Sequence, residues 1–470
     1  MLPMREYLTK KEALIAENII DCGGKIYLVG GAVRDFIMGR KANDTDFVVR
    51  NICMKDLEGL LSNHGKVIRQ KKFGIIKLYT DGICYDFALP RREKKVGTKH
   101  TDFEIEFSPS ISIEDDLFRR DFTINAMAIE LASNIVIDPY GGVDDIKAKT
   151  IKMVNPMAFG EDPLRILRGL RFASCLDFTI EELTLEKMND MAPGLEDVSS
   201  ERIYGEIIKT FSGANVPSKF FTLAPESVLK QIIPEIIPLK GLKQPRKFHV
   251  SDAFGHSMAA LDAVEKDVML RLIMLMHDLG KAKTMRNIQG KISFHQHEFV
   301  SAKLARNILL RWKASNETIK LVVHFIKHHM DFVSFNSDLD KEDRVVTRPW
   351  TPASHRMIRR WVGRIGRENI DSWFKMRIAD MRGGKGPKTN LTKINWLREK
   401  VDEVLAYKPP FNIQDLEING NDVMSVLGLK QGRDVGNILK KLFELVDNNE
   451  IENTRDCLLR TLQERKDLLL

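Results

Sequence analysis

An α+β fold is the class that this sequence predicts, with a mixed sheet and its helices followed by an all-helical remainder. Residues 1–150 contain short apolar runs that end at turn residues, which is typical of strands alternating with helices. From about residue 160 apolar side chains recur at helical spacing, as Leu164, Leu167 and Leu170 do. Because 470 residues are too many for one core, we predict four domains, at 1–150, 151–245, 246–386 and 387–470.

Five apolar segments predict the strands of the first domain. Each is three to five residues long and borders a turn or a charged residue. They are Ile26–Val29, Phe47–Val49, Ile75–Tyr79, Cys84–Ala88 and Ile135–Ile137. The second, third and fourth domains show helical spacing, and the third is rich in histidine.

The composition indicates a globular protein with a basic surface. The net charge is +8 with a pI near 9.0, which fits a polyanionic partner such as RNA or, equally, a solvated surface rich in lysine. The five cysteines form no CxxC pair, which favours a reducing compartment over a disulfide framework. No run approaches the ~20 apolar residues of a membrane span, so we expect a cytoplasmic protein without membrane contact.

Three carboxylates are the first candidates for chemistry. Asp44 and Asp46 lie two residues apart at the start of a predicted strand, so they face the same side. Such a pair repels itself unless a cation lies between the two groups. Mg²⁺ prefers oxygen ligands, and two such ions can hold the attacking and leaving oxygens of an in-line displacement. Asp86, on a neighbouring predicted strand, could supply a third carboxylate. The alternative is an ordinary turn before a strand.

A glycine pair precedes these carboxylates. Gly30 and Gly31 follow the first predicted strand and open a helix that carries Arg34. Glycine lets a backbone approach a phosphate closely, and a helix N-terminus attracts anions. Arg34 could add a charge-assisted contact to a triphosphate. The alternative is a tight turn with a surface arginine.

Together, the segment GGAVRD, Gly39 and the DTD followed by an apolar strand resemble the nucleotide-binding signature of the polymerase-beta superfamily. They are most similar to the class II family of tRNA nucleotidyltransferases and bacterial poly(A) polymerases. This resemblance implies a polymerase-beta-like nucleotidyltransferase head at 1–150, a nucleotide-selecting helical neck at 151–245 and a tRNA-binding tail at 387–470.

Two further segments carry the same resemblance. Residues 119–126 read RRDFTINA, which in the family selects a ribonucleotide through its sugar, and this implies roles for Arg120, Asp121 and Asn125. The alternative is a local ion pair between Arg120 and Asp121. Residues 161–165 resemble the family's EDxxR motif, which implies that Asp162 and Arg165 hydrogen-bond the incoming base.

The neck residues also have alternative interpretations. Asp162 precedes Pro163 and could simply cap the helix. Arg168 and Arg171 could face a triphosphate or RNA, or lie on a solvated helix edge.

The third domain resembles an HD phosphohydrolase domain. The pattern consists of His256, the pair His277-Asp278 within HDLGK, and the distant Asp380. Such a mixed histidine and carboxylate set suits Mn, Ni or Mg. His297, His328 and His329 are further candidates for a second metal or for phosphate. The alternatives are buried core histidines, or a domain that serves only as a scaffold.

The resemblance implies addition of C, C and A to the 3′ end of tRNA from CTP and ATP, with release of pyrophosphate. Residues 69–77 resemble the tRNA enzymes more than the poly(A) polymerases. The long polar segment 91–116 resembles the flexible loop that CC-adding enzymes lack.

A poly(A) polymerase and a CC-adding enzyme stay open as alternatives. From a different class, so do an RNA-binding protein with an inactive head and an HD phosphohydrolase whose head recruits tRNA. A homodimer is compatible with the sequence, which does not define the oligomeric state.

Overall fold

The computed structural model describes residues 7–42, 44–70, 74–95, 103–245, 249–331, 352–406, 413–448 and 450–465. The chain forms two compact units: one comprises Met1–Pro238, Lys266–Val268 and Ile308–Ala314, and the other the remaining residues. The predicted head falls in the first unit and the predicted tail in the second, whereas the predicted neck lies mostly in the first and the predicted HD domain mostly in the second. The finer division into four domains stays a prediction.

A seven-stranded mixed sheet organises the first unit, which confirms the α+β prediction. The strands are β1 Lys25–Val29, β2 Asp46–Arg50, β3 Lys66–Gln70, β4 Ile75–Thr80, β5 Ile83–Ala88, β6 Arg91–Lys95, β7 Phe103–Phe107, β8 Ala128–Glu130, β9 Ile135–Ile137, β10 Thr150–Ile151 and β11 Thr179–Ile180. The sheet order is β3-β4-β5-β2-β1-β8-β9, with β2 parallel to β5 and its other pairs antiparallel. All five predicted strand segments are confirmed.

Helices account for most of the remaining described residues. Those of the first unit are α1 Lys10–Asp21, α2 Gly31–Ile37, α3 Met54–Ser62, α4 Ile113–Phe118, α5 Gly142–Lys147, α6 Ala158–Glu161, α7 Leu164–Leu176, α8 Glu182–Met191, α9 Ser200–Gly213, α10 Lys219–Leu223 and α11 Glu226–Ile232. Short 3-10 turns lie at Thr123–Asn125, Ala192–Asp197, Pro234–Leu239, Arg367–Asn369 and Ile413–Asp415.

The helices that follow are α12 Ala253–Asp262, α13 Val268–Met276, α14 Lys281–Thr284, α15 His297–Arg311, α16 Asn316–His328, α17 Pro352–Ile365, α18 Ile370–Lys385, α19 Thr392–Ala406, α20 Gly420–Leu427, α21 Arg433–Asp447 and α22 Arg455–Glu464. A small hairpin pairs β12 Arg286–Ile288 with β13 Lys291–Ser293. None of the helices in the described residues is long and apolar enough to span a membrane.

The position of β1 near the centre of the sheet explains why its sequence is a continuous apolar run. Its residues Ile26 to Val29 are all buried, because β1 is flanked by β2 and β8 and is covered on both faces. Tyr27 and Val29 pack on one face with Ile113 and Leu117 of α4. This packing fixes the end of β1, from which the glycine turn emerges.

One expectation about the head is wrong. The segment 91–116 was expected to be a loop, but β6 and β7 pair as an antiparallel hairpin within it, and α4 begins at Ile113 with Ser112 as its cap. The alternation of Phe103, Ile105 and Phe107 with glutamates is the period-2 pattern of a strand. Residues 96–102, and residues 71–73 of the segment compared with poly(A) polymerases, lie outside the described residues.

Candidate active site

The sheet brings the three predicted carboxylates to one edge. Asp46 is the first residue of β2 and lies directly opposite Asp86 in the parallel strand β5. Asp44 lies two residues before Asp46. Between them, the Thr45 hydroxyl donates a hydrogen bond to Glu12 at 2.6 Å. Glu12 also completes the capping box of α1, so the start of this helix holds the loop that carries the aspartates.

The carboxylate of Asp46 has an unfavourable environment for its charge. Partial removal of water raises its pKa, and the neighbouring Asp86 and Asp44 raise it further, while Arg120 and Lys77 counteract them. Hard oxygen ligands that repel one another in this way fit a divalent cation, which removes the repulsion.

Asp86 is held by a lysine. The Lys77 ammonium, directly across from it on β4, lies 2.7 Å from both carboxylate oxygens. Sequence reasoning did not single out Lys77, although its alternation with buried Ile76 and Leu78 marks it as a residue of the opposite face. The third predicted carboxylate is therefore paired with Lys77 in this structure.

From this ion pair we expect the substitution Lys77→Met to increase the affinity of the head for Mn²⁺ several-fold. The change frees Asp86 and removes a competing cation from a cluster of like charges. The measurement is a Mn²⁺ titration followed by electron paramagnetic resonance, with Asp278→Asn present to remove the second predicted metal site. Lys66→Met, an exposed lysine of β3, is the control, and equal affinities in both variants would contradict the assignment.

The predicted glycine turn adopts a conformation that requires glycine. Gly30 has φ 71°, and a Cβ on it would lie 2.9 Å from Nη1 of Arg120. The helix α2 starts immediately afterwards, at Gly31. Arg34, one turn into α2, donates to Asp35 and, at 2.9 Å, to the side-chain oxygen of Asn125. The turn and the sugar-selecting motif therefore meet at one place.

The buried Asp116 forms ion pairs with both arginines of that motif. Asp116 has no solvent-exposed side-chain surface, and it pairs with both Arg119 and Arg120, at 2.7 and 3.1 Å. Arg120 thus pairs with Asp116, and the proposed local pair with Asp121 is wrong for Arg120. The acidic partner was missed because Asp116 lies before the motif, although its position four residues before Arg120 is helical spacing.

Asp121 instead connects the head motif to helix α7. Burial alone would raise its pKa, but the Arg168 guanidinium at 2.7 Å lowers it below the ordinary range. Asp121 also accepts hydrogen bonds from the Phe122 amide and from Asn125. These contacts leave Asp121 ionised and fixed in position.

The predicted base-reading pair has protein partners in this structure. Asp162 accepts from the Leu164 amide at 3.2 Å, as a helix cap does, and from Arg202 at 2.9 Å. Arg165 is buried, and its guanidinium donates to Glu161 and to backbone carbonyls of Ala158 and Arg119. Asp162 is therefore both a cap and a cleft residue, and Arg165 is held rigidly by its neighbours.

Arg168 and Arg171 do not form a solvated helix edge. Arg171 lies 4.1 Å from the centre of the Phe172 ring and donates to Glu206 at 2.6 Å. The guanidinium of Arg168, paired with Asp121, lies 5.5 Å from the same ring. Both guanidinium groups thus lie near the ring of Phe172, within the range of cation–π contacts. The side chains of Arg168 and Arg171 line the same cleft.

A cleft of about 770 Å³ brings most of these side chains together. Its lining carries eight cationic and five acidic side chains, and this excess of positive charge suits a ligand with several negative charges. The predicted residues that line it are Gly30, Gly31, Arg34, Asp44, Asp46, Arg120, Asp121, Asn125, Asp162, Arg165, Arg168 and Arg171. Asp86 does not line it. Asp35, Arg119, Arg202, Lys209 and Ser212 also line it, although motif comparison gave them no role in ligand binding.

The HD residues converge in the second unit. The Nε2 atom of His256 lies 3.1 Å from Asp278, 3.0 Å from Asp380 and 3.2 Å from Nε2 of His277. Asp278 is buried, and although burial would raise its pKa, His277 and Lys281 hold it well below the ordinary range. Nitrogen and carboxylate atoms this close to one another are the donor set of a divalent transition metal.

A second set of ligands shares Asp278. Its other carboxylate oxygen lies 3.2 Å from Nε2 of His297 and 3.9 Å from Nε2 of His329. The Nδ1 atoms of His277, His297 and His329 each donate to a backbone carbonyl three residues earlier, which leaves Nε2 for the cluster. This orientation of ring nitrogens is the one that metal-binding histidines adopt, so the residues fit one or two metal ions.

Of the two adjacent candidates, His329 lies in the cluster and His328 lies outside it. His328 pairs through Nδ1 with Asp331 at 2.9 Å, whereas the next residue, His329, lies in the cluster. Successive residues point about 100° apart around a helix, and α16 ends at His328, so only one of the pair can face Asp278. The two adjacent histidines predicted a ligand at this position, but the sequence did not show which of them it is.

A separate cavity of about 580 Å³ lies against this cluster. It is lined by Asp278, Asp380, His297 and His329 and by the cations Lys281, Arg377 and Lys385. Arg377 pairs with Asp380, and Lys281 lies 2.6 Å from Asp278. A metal-ligand cluster with cations beside it suits a phosphate ester.

From the pKa of His277 we expect the metal-free protein to lose stability as the pH rises from 6.5 towards 10. Burial lowers this pKa, but Asp278 and Asp380 raise it to about 10. The folded value lies above the unfolded one, so the stabilisation is complete below pH 6.5 and disappears as the pH rises through about 10.

A bound metal requires the unprotonated ring, so metal binding should strengthen over the same range. The measurement is thermal unfolding from pH 6.5 to 9 in EDTA and in Ni²⁺, where the difference in melting temperature should widen with pH. His328→Gln is the control and should behave as the wild type. A widening that persists in His277→Gln would assign the effect to another group.

Four family profiles match the chain in order. They are the poly A polymerase head domain at residues 26–152, the "Probable RNA and SrmB-binding site of polymerase A" at 177–239, the HD domain at 253–348 and tRNA nucleotidyltransferase domain 2 at 391–462. They cover the candidate residues from Gly30 to Asn125 and from His256 to His329. Between the matched regions lie Asp162, Arg165, Arg168, Arg171 and Asp380.

Curated and solved relatives agree with these profiles. A multifunctional CCA protein of Xanthomonas campestris pv. campestris is 35% identical over 318 residues, which cover 65% of this chain and 75% of the relative. The CCA-adding enzyme of Bacillus stearothermophilus, solved in complex with CTP, is 25% identical, with a TM-score of 0.69 and coverage of 98% and 99%. The Thermotoga maritima CCA-adding enzyme complexed with tRNA shares the fold, at 19% identity, a TM-score of 0.57 and coverage of 98% and 97%.

Proposed function

The chain belongs to the family of the multifunctional CCA proteins, and we propose that it adds C, C and A to the 3′ end of tRNA without a nucleic-acid template. CTP and ATP are the nucleotide donors, and pyrophosphate is the product. The observation that carries this proposal is the single cleft in which Asp44 and Asp46 face the Gly30 turn and a set of arginines. Carboxylates for a divalent cation and donors for a triphosphate are thereby placed side by side.

In this proposal Asp44 and Asp46 hold Mg²⁺, and Asp86 joins them once it is released from Lys77. Divalent cations bound there supply Lewis-acid activation of the reacting oxygens and neutralise the developing charge. The chain itself supplies positioning, which is most of the catalysis in phosphoryl transfer. The amide groups at the start of α2 and the guanidinium of Arg34 orient the triphosphate.

Nucleotide choice is assigned to the neck side of the cleft. Asn125, with Asp121 beside it, is placed to read the ribose 2′-hydroxyl, because an amide offers both a donor and an acceptor. Asp162 is placed to accept from the base once Arg202 releases it, and Arg165 supports it from its fixed position. Arg168 and Arg171 complete the cationic wall on the surface of Phe172.

The experiment uses tRNA transcripts that end before CCA, after C and after CC, each given Mg²⁺ with CTP, ATP or both. Products are resolved at single-nucleotide length. Extension that stops at CCA is the expected result. A stop at CC without use of ATP would make the protein a CC-adding enzyme, and long A tails on any RNA would make it a poly(A) polymerase.

We propose a metal-dependent phosphohydrolase activity for the HD domain as a second function. The supporting observation is the pair of three-residue ligand sets that share Asp278 beside a cavity lined by cations. HD domains generally use divalent metals, and Mn, Ni and Mg are the candidates here. Release of phosphate from a panel of nucleoside monophosphates and cyclic phosphates, lost in Asp278→Asn, tests it.

The cytoplasm is the proposed compartment, which the five free cysteines support. A homodimer stays a prediction, and sedimentation of the purified protein would test it.

A further inference from the structure

Helix α17 carries a row of arginines that the two sites do not use. Arg356, Arg360 and Arg364 are four residues apart, so they lie on one side of the helix at intervals of about 6 Å. Their side chains are 37%, 60% and 56% exposed. We call these three residues the arginine stripe.

Among the described residues, the stripe has more positive charge than its neighbours neutralise. Asp447 is buried, and its closest partner is the buried Arg359, which binds its carboxylate at 3.1 Å and also donates to its backbone carbonyl. Arg360 at 3.2 Å and Arg356 at 3.9 Å share this carboxylate. In the described part of the chain, one negative charge thus faces three guanidinium groups.

The third arginine of the stripe is also weakly paired. Arg364 lies 3.8 Å from Asp331, and that carboxylate already accepts from His328 at 2.9 Å. Exposed pairs at such distances contribute little to folding stability. The pair with Asp331 therefore does not explain why Arg364 is kept on this face.

Two arginines of the stripe lie beside a residue of the predicted tail. Asp447 is the last residue of α21 and lies within the region 391–462 that matches the tRNA nucleotidyltransferase profile. The buried pair between Arg359 and Asp447 fixes α17 against α21. The stripe therefore borders the surface of that matched region.

We propose that the arginine stripe binds the phosphate backbone of the tRNA. Guanidinium groups match phosphate oxygens with two parallel hydrogen bonds, and they keep their charge at any physiological pH. An acidic protein is the less favoured partner, because protein interfaces contain an apolar core, whereas Met357 is the one large exposed apolar side chain among the described side chains of α17. This inference rests on the proposed function and adds to it an RNA contact outside the reaction cleft.

The test compares full-length wild type with R356Q/R360Q/R364Q, using a labelled tRNA transcript without CCA at 50 to 300 mM KCl. Loss of three phosphate contacts should weaken binding about tenfold or more near 150 mM KCl. The slope of log affinity against log salt should become shallower by about 2 to 3, since each contact contributes about 0.7 to 0.9. Extension at saturating tRNA should keep the wild-type rate.

Two further variants make the result specific. K55Q/K66Q/K147Q removes the same charge from exposed lysines of the head, and R356K/R360K/R364K keeps the charge of the stripe. The lysine variant of the stripe should retain most of the salt dependence. If the glutamine variant of the stripe binds tRNA like the head control, the stripe is not an RNA contact. If the wild type fails to extend tRNA at all, it is the proposed function that fails.

Discussion

Asp46→Asn is expected to reduce CCA addition by about three orders of magnitude or more while leaving the fold intact. The side chain keeps its shape but loses the charge that holds a divalent cation. Stabilisation by such a cation is worth several kcal/mol, and each 1.36 kcal/mol corresponds to a tenfold change in rate. Single-turnover extension of tRNA ending before CCA, with saturating CTP and Mg²⁺, measures the loss.

The same substitution should not destabilise the metal-free protein. The pKa of Asp46 is raised in the fold, so above that pKa its ionised form costs stability, and a neutral amide removes the cost. The melting temperature in EDTA at pH 7 should therefore equal or exceed that of the wild type. A clear fall in melting temperature would mean that Asp46 has a structural role that explains the lost activity.

Asp81→Asn is a matched control for this experiment. Asp81 lies in the turn between β4 and β5, is exposed, and has φ 52°, a conformation that asparagine tolerates. The substitution removes the same charge from the same part of the sheet. It should leave the rate within about twofold, as expected for a surface change away from special features.

The position of Asp46 shows what could be predicted from sequence. Period-2 alternation and the apolar run after DTD predicted that Asp44 and Asp46 open a strand, whereas only Asp46 begins β2 and Asp44 lies in the loop before it. Asp86 was expected on a neighbouring strand, but the sequence did not predict the parallel direction and the register that bring it opposite Asp46. Partner choice between strands depends on packing across the whole sheet, which a local pattern does not encode.

The ion pairs of the cleft could not be predicted from the sequence either. A local pair between Arg120 and Asp121 was the alternative interpretation, but neighbouring side chains diverge, and Arg120 pairs instead with Asp116 on α4. Asp121 instead pairs with Arg168, 47 residues away. Helical spacing could have suggested the first pair, whereas the second follows from the packing of α7 against the head motif, which has no local signature.

In the HD domain, the motif predicted the ligand types but not all of their identities. His256, His277, Asp278 and Asp380 lie within about 3.6 Å of one another in the pairs that join histidine to carboxylate. The choice between His328 and His329 depended on where α16 ends. Helix ends are set by capping and packing, and they are the least reliable part of a sequence-based assignment.

Asp278→Asn is expected to abolish metal binding by the HD domain while leaving CCA addition within about twofold of the wild type, as for a change remote from the reaction. Asp278 is shared by both ligand sets, so one substitution should affect both. Metal content after dialysis, tRNA extension and phosphate release are measured on the same preparation. The control is Asp331→Asn, whose carboxylate pairs with His328 outside the cluster. Loss of tRNA extension in Asp278→Asn, but not in Asp331→Asn, would contradict the separation of the two functions.

The variant also has a predictable effect on stability. In the metal-free protein, Asp278 is the buried anion between His256, His277 and Lys281. Removing one partner of a buried ion pair typically costs about 3–5 kcal/mol. The cost here should be smaller, because without Asp278 the pKa of His277 falls and the ring can release its proton instead of remaining as an unpaired buried charge. The loss of stability with rising pH should therefore flatten in Asp278→Asn, and urea unfolding in EDTA at pH 6.5 and pH 9 measures this change directly.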